Sequence, residues 1–328
     1  MITLTNIAKL ANVSVSTASK AFSMSPDVSD ETRNVVFKIA KEHGVFKKFY
    51  NAKYPRLVIA IVCPEFNNDL YASMLSELQT RLEARGCDVC VAATHFSEER
   101  ERELLSYYSK YTDVDAILTI HKMTKLEDNF VIPCIDIFPR DRDYNCPTII
   151  SNQEGMRQAI EYFKSRGVDK IGFISETRLQ GKLRKFKGIM KEIYGGYDED
   201  YIVSVNDLFE MGGYYAAEEL VHRKKVPRVL LCENDNLAMG AMRALLKRGI
   251  KIPEDVAIVG SNNSPKMKYL TPALSTIDFS QKKIIEIGVK TVIHLLVGKD
   301  YDNFVELDSE FIPRESSAIG DELDGQNL

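Results

Sequence analysis

From Leu57 onward the chain alternates short apolar runs with amphipathic helical stretches, and this rhythm restricts the fold more than any other feature. Leu57–Cys63 is apolar at every position, as expected of a strand covered on both faces. A helix from about Tyr71 to Arg85 stops at Gly86, and Val89–Ala93 follows as a strand. Helical residues Glu98–Tyr111 then lead to strands over Ala116–Ile120 and Val131–Ile137. The rhythm restarts near Glu154 with a helix to Gly167, the strand Lys170–Ser175 and a helix over Lys182–Tyr194. Strand Arg228–Cys232, helix Leu237–Arg248 and strand Val256–Gly260 complete this second series. Such alternation predicts parallel sheets with helices on both faces. Two series predict two lobes and a cleft, with ligands held beyond the carboxyl ends of the strands.

Ahead of this body, the run Leu4–Phe22 reads as two short helices around a tight turn. Ile7, Leu10 and Ala11 predict the apolar face of the first helix, and Ala18, Ala21 and Phe22 that of the second. Asn12 falls where the turn needs a left-handed backbone, which Asn tolerates, and Ser14 is placed to cap the second helix. A third helix starts after Ser29, carries Asp30 and Glu31 in its first turn and ends at Gly44. Val35, Val36 and Ile39 are its candidate core residues. Helices so joined form a helix-turn-helix, whose second helix enters the DNA major groove. A plain three-helix core without nucleic acid is the competing reading.

Charge supports a DNA-docking end. Residues 1–56 hold nine Lys and Arg against four Asp and Glu, a net +5, whereas the remainder holds 34 against 43, a net −9. A basic head on an acidic body suits phosphate docking at one end. No apolar run approaches the ~20 residues of a membrane helix, and the N-terminus lacks an apolar signal segment, so a cytoplasmic protein without membrane contact is expected. Cys87 and Cys90 form a C-x-x-C, but no second pair or nearby His pair completes a metal site. Neither a cofactor motif nor a catalytic motif is present, so no cofactor, metal or enzymatic activity is expected.

The run Val13–Lys20 followed by Val28–Arg33 resembles the head of the LacI/GalR family of bacterial transcription regulators. Cys232–Leu245, Ile252–Gly260, Tyr269–Ile277 and Pro313–Ser316 resemble signatures of the same family in matching order. The resemblance implies an N-terminal all-α helix-turn-helix head (residues 1–45), a basic hinge (46–56) and an α/β two-lobe body (57–328). That body would be periplasmic-binding-protein-like, with doubly wound parallel sheets and a chain crossing between lobes. It implies a homodimeric repressor that binds a pseudo-palindromic double-stranded operator under control of a small, sugar-like effector. Val15, Ser16 and Lys20 fall where the family reads base edges, with Lys in place of the usual bidentate Arg. Thr3, Ser14, Thr17, Ser19, Ser29, Thr32, Lys47 and Lys48 complete the expected DNA-facing set.

For the effector, the resemblance points to Phe66, Asn67, Tyr71, His121 and Asp136 on the first lobe, and to Asn234, Asp235 and Asn262 on the second. An N-cap or dipole role is the alternative for Asp235. Lys185 lies where family members often place an Arg, Leu208 where they stack an aromatic ring, and Asn262 where they carry an Asp. Losing these groups disfavours a neutral hexose, and Lys182, Arg184, Lys185 and Lys187 suggest an anionic sugar, unless these charges form a solvated helix face. In the hinge, Tyr54 or Phe49 would take the place of the family's minor-groove leucine, with Pro55 ending any helix. The family dimer implies contacts from helices near Ala72–Leu82 and Leu237–Leu246, with Met239 and Met242 as interface or core residues. A transport-type sugar-binding protein, an α/β enzyme acting on a sugar phosphate, and a regulator answering to a protein partner remain as rivals.

Overall fold

The computed structural model describes residues 2–49, 56–126, 130, 132–141, 143, 145–178, 180–207 and 209–320, and divides the chain into compact units at 1–57 and 58–328. The first unit contains helices α1 (Leu4–Leu10), α2 (Val15–Phe22), α3 (Asp30–Glu42) and the single turn α4 (Phe46–Phe49). Three N-caps set their starts. Thr3 forms a capping box with Asn6, Ser14 accepts from the Thr17 N–H, and Ser29 accepts from the Thr32 N–H. Asn12 takes the left-handed conformation (φ 54°) that turns α1 into α2.

Ile7, Ala8, Ala18, Ala21, Phe22, Val28, Val36 and Ala40 are buried between the three helices. Two expectations change here. Leu10 is 56 % exposed and Val35 44 % exposed, because Ala8 and Val36 occupy the inward positions instead. Phe22 stacks on Phe37 at 5.6 Å, and Phe46 and Phe49 close over this pair. Phe49 therefore packs with the aromatic core of the head and does not serve as a free minor-groove wedge. Tyr54 and Pro55 lie outside the described residues.

The body holds two parallel sheets. One follows the order β11-β5-β4-β3-β1-β2, from strands β1 (Leu57–Cys63), β2 (Cys87–Ala93), β3 (Ala116–Ile120), β4 (Cys134–Ile137), β5 (Thr148–Ser151) and β11 (Phe304–Leu307). Adjacent residues of β1 point to opposite faces. Ile59 and Ile61 meet α5 (Asp69–Glu83) and α11 (Gln281–Leu296), whereas Ala60 and Val62 meet α6 (Glu98–Tyr111). The β4 strand is shorter than the apolar run that suggested it, and β2 is longer.

The second sheet has the order β7-β6-β8-β9, from β6 (Ile171–Glu176), β7 (Ile202–Val205), β8 (Val229–Cys232) and β9 (Ala257–Val259). Helices α7 (Glu154–Ser165) and α8 (Gly181–Tyr194) cover the face that carries Phe173. Helices α9 (Glu210–His222) and α10 (Asp235–Lys247) cover the opposite face, which carries Ile174. An antiparallel pair, β10 (Thr276–Asp278) with β12 (Glu310–Ile312), completes the body.

The chain passes between the sheets after β5, after β10 and after β11. Side chains tie these passages together. Asn152 Nδ2 donates to Asp308 Oδ1 (2.6 Å), Ser309 N donates to Asn152 Oδ1 (3.0 Å), and Ser280 Oγ donates to the Asp308 carbonyl (3.0 Å). Three strands crossing at one hydrogen-bonded place make a hinge, since rotation there leaves both sheets intact. Cys87 and Cys90 pack on opposite faces of β2, so the C-x-x-C is not a site. None of the six cysteines forms a disulfide, and no cluster of three or more metal-ligating side chains exists among the described residues. No helix among the described residues is long and apolar enough to cross a membrane.

Candidate DNA-reading face and interlobe cleft

On the head, α2 presents Val15, Ser16, Ser19 and Lys20 to solvent, while Ala18, Ala21 and Phe22 anchor its other side. These exposed positions lie at i, i+1, i+4 and i+5, one face of a helix. Thr17 is half-buried, and the Thr3, Ser14 and Ser29 hydroxyls are engaged as N-caps, with Thr32 accepting from Ser29 Oγ. Lys48 is exposed; Lys47 lies in α4, with its side chain outside the described residues. Lys20 Nζ is paired with Asp27 at 2.8 Å, which sequence spacing did not suggest. That pair holds the Asp27 carboxyl below its ordinary value.

In the body, backbone strain marks the carboxyl ends of the strands. His95 and Phe96 after β2, His121 after β3, Phe138 after β4, and Asn262 with Asn263 after β9 all have positive φ. Non-glycine residues in this region are uncommon, and they gather at functional sites. The two lobes meet along this line. The Arg178 guanidinium lies 4.4 Å from the Phe96 ring centre, Phe138 meets Phe279 edge-on at 6.4 Å, and Lys266 pairs with Asp69 at 2.8 Å.

Lys182, in the first turn of α8, turns into this cleft. Its Nζ donates to the Glu233 carbonyl (2.7 Å) and to Ser261 Oγ (3.1 Å), and lies 4.4 Å from the centre of the Phe279 ring. Glu176 accepts from Arg178 Nε at 2.5 Å. Burial raises the Glu65 carboxyl above its ordinary value against the pull of Arg178 and His95. Burial likewise pushes Glu233 up to about 7, opposed by Lys182, while it lowers the Lys182 ammonium. His121 is driven down to about 4 by burial and by the Lys182 charge, so a neutral imidazole hydrogen-bonds Tyr71 through Nδ1 at 2.9 Å.

Several expected ligand residues have other work. Asp136 is fully buried, 2.7 Å from Lys122 Nζ and accepting from Thr119 Oγ1, so it is no ligand contact. Asn234 caps α10 by accepting from Leu237 N (2.8 Å). Asp235 accepts from Thr276 Oγ1 (2.6 Å) and Ser264 N (2.7 Å), bracing the loop after β9 rather than facing a ligand. Burial raises its carboxyl to about 6 despite these bonds. Arg184 and Lys185 are exposed on the outer side of α8, where they form the solvated face and no anion site. Leu208 lies outside the described residues, and Phe209 next to it occupies the N-cap position of α9.

Phe66 and Asn67 are exposed after β1, Tyr71 is buried beneath Phe96, and Asn262 is buried at a strand end. The residues missed from sequence are Glu65, Phe96, Phe138, Glu176, Arg178 and Glu233. Each stands at or just after the carboxyl end of a strand, which was the available signal.

Glu233 and Asp235 bind protons more tightly in the folded chain than in the unfolded one. Their stabilisation is therefore complete below the ordinary carboxylate range and lost as pH rises through about 6 to 7. Melting temperature is expected to fall between pH 5 and pH 8, and Glu233→Gln to flatten that slope. An unchanged slope in the variant, followed by circular dichroism, would remove Glu233 from this account.

A groove of about 700 Å³ runs along α9 and α10, lined by Met211, Tyr214, Met239, Met242, Arg243 and Leu246 among others. Met242 is buried, whereas Met211 is 51 % and Leu246 43 % exposed.

A model of the bacterial regulatory proteins of the lacI family matches residues 3–45, and a model of the periplasmic binding protein-like domain matches residues 160–317. The chain is 26 % identical over 329 residues to the HTH-type transcriptional regulator GntR of Pseudomonas aeruginosa, covering 96 % of this chain and 95 % of that one. It is equally 26 % identical over 337 residues to the HTH-type transcriptional repressor PurR of Escherichia coli, covering 98 % of each. Among solved structures, the transcriptional regulator CelR in complex with cellobiose aligns with a TM-score of 0.68 at 22 % identity, over 96 % of this chain and 100 % of that one. The lac repressor dimer bound to operator and the anti-inducer ONPF also aligns at 0.68, with 18 % identity over 96 % and 98 %. Head and body together define a DNA-binding transcription regulator with an effector-binding domain. Residues 3–45 carry the head of the lacI family of bacterial regulatory proteins, and the chain's curated relatives are transcription regulators rather than enzymes.

Proposed function

We propose that the protein is a homodimeric, cytoplasmic repressor that reads a pseudo-palindromic operator and changes its grip when a small hydroxylated, sugar-like ligand enters the interlobe cleft. The observation that carries the DNA reading is the single exposed face of α2 formed by Val15, Ser16, Ser19 and Lys20. Val15 packs on a thymine methyl, Ser16 exchanges hydrogen bonds with a base edge, and Lys20 donates to guanine acceptors. One such head touches few bases, so a second copy on a half-site about one helical turn away supplies affinity. The apolar groove on α9 and α10 is a suitable dimer contact, with Met239 among its lining residues. Effector binding shifts the lobes about the Asn152–Ser280–Asp308 hinge and so the spacing of the two heads.

Selection of the operator from random DNA, with sedimentation to count protomers per site, tests this reading. Lys20→Ala is expected to relax specificity chiefly at one base pair, whereas Lys48→Ala weakens all sequences and lowers the salt slope by about one. Asp27→Asn frees Lys20 and is expected to tighten binding. A monomer on a single half-site, or uniform loss from Lys20→Ala, would contradict the proposal.

A further inference from the structure

We infer that the interlobe cleft takes a cationic, hydroxyl-bearing ligand, a protonated amine on a sugar-like frame, and rejects the matching acid. The inference deepens the effector reading above and rests on it. Carboxyl groups from both lobes face the cleft: Glu65 of the first lobe feels the charges of Glu176 and Asp207 of the second, and Glu233 feels that of Glu176. Two cations, Arg178 and Lys182, face them, and both are already engaged with protein acceptors. The buried cleft atoms without a hydrogen-bond partner include Glu65 Oε1, Glu233 Oε2, Asn262 Oδ1 and the Thr94 hydroxyl. Glu233 is 4 % and Asn262 8 % exposed.

The Asn262 amide oxygen and the two carboxyl oxygens in their ionised form accept hydrogen bonds, and Thr94 Oγ can accept or donate. A buried acceptor without a partner is unfavourable, so the complementary ligand brings donors. A hydroxylated ligand supplies donors, and an ammonium adds a charge that favours the ionised forms of Glu65 and Glu233, which burial alone disfavours. A ligand carboxylate would add negative charge and no donor. No group of metal-ligating side chains is present among the described residues to offer a bare cation a cage, which favours an ammonium over a metal ion.

The test melts the full chain with glucose, glucosamine and glucuronate, and with galactose, galactosamine and galacturonate, while operator binding is followed with each. At least one amino sugar is expected to raise the melting temperature and to bind about tenfold tighter than its neutral parent, the gap between a charge-assisted and a neutral hydrogen bond. The matching acid should give no shift. Glu65→Gln and Glu233→Gln should each narrow the preference for the amine; Glu65 is only half-buried, so its variant remains informative if Glu233→Gln folds poorly. Tighter binding of a neutral or acidic member, no response to any amine, or an unchanged preference in both variants overturns the inference. If acids or neutral sugars alter operator binding, the cleft remains the effector site and only its charge preference falls. If no compound of any class alters operator binding, the effector reading falls as well.

Discussion

Replacing Lys122 by Met is expected to lower folding stability by about 3–5 kcal/mol, the usual loss when one partner of a buried ion pair is removed. Lys122 follows β3 and is 1 % exposed, with Nζ 2.7 Å from Asp136 and 3.0 Å from Asp143. The cluster is well satisfied. Asp136 also accepts from Thr119 Oγ1, and Asp143 Oδ2 accepts from Leu126 N at 2.8 Å. Burial works against both charges. Even so, the lysine is held above its ordinary value by Asp136, and Asp143 below its own by the Leu126 and Asn145 N–H groups and by Lys122.

The signs follow from linkage. The raised lysine contributes stability that is lost as pH rises past the ordinary lysine range, and the lowered Asp143 contributes stability that is lost as pH falls below the ordinary carboxylate range. The wild-type chain is therefore level in this respect near neutrality. Lys122→Met leaves carboxylates without their cation, and acidification relieves them by protonation, so the variant gains stability as pH falls toward 5. Urea unfolding at pH 5 and pH 8 measures both effects. A loss relative to wild type of under about 1 kcal/mol, or a loss equally large at pH 5 and pH 8, would contradict the account.

Gly240→Ala should carry the second large effect, toward or beyond the ~1–3 kcal/mol typical of overpacking. A Cβ at Gly240 would sit 1.8 Å from the Glu210 carbonyl oxygen, and one at Gly213 would sit 1.9 Å from the Leu237 carbonyl oxygen. Two backbones touch here, with no flexible side chain to move aside, so α9 and α10 must separate. The adjoining groove would change shape with them, and dimer affinity should fall together with stability. Gly188→Ala is the control. It lies within α8 with nothing within 4 Å of the added carbon, and is expected to stabilise by about 0.5–1 kcal/mol. Thermal melts of the two variants should move in opposite directions; movement of both in the same direction would show that helix propensity, not the α9–α10 contact, governs Gly240.

Local patterns were the legible part. Ser14 and Ser29 as N-caps, Asn12 in the left-handed turn and the two series of strands and helices are consequences of neighbouring residues, and the structure contains them. The short strands β5, β7, β10, β11 and β12 and the helices α9 and α11 are not set out by that alternation. The partners of β11 and β12 lie about 150 and 35 residues earlier in the chain, in β5 and β10, so their pairing has no local signature.

The site was less legible because facing directions decide it. Arg184 and Lys185 belong to the same basic stretch as Lys182, yet only Lys182, at the first turn of α8, reaches the Glu233 carbonyl and Ser261, while the other two stay exposed. Asp136 ends up in a buried ion cluster because Lys122 and Asp143, distant by 14 and 7 residues, converge on it or its partner. Glu233 stands next to Asn234, but only the latter reads as a helix cap, and the cleft role of Glu233 emerges from Lys182 and Glu176 on other elements.

By itself the sequence determined a capped helix-turn-helix head, an alternating α/β body and which side of α2 packs inward, since these depend on contacts within a few residues. Only the tertiary structure decided that Lys20 is paired with Asp27, that Phe49 belongs to the head core, and that Lys182 rather than Lys185 faces the cleft. It also decided that the cleft holds more carboxylates than free cations. Charge balance in a cleft is a sum over strand ends far apart in the chain, and low-dielectric burial, which gives that sum its weight, exists only once the lobes have packed together.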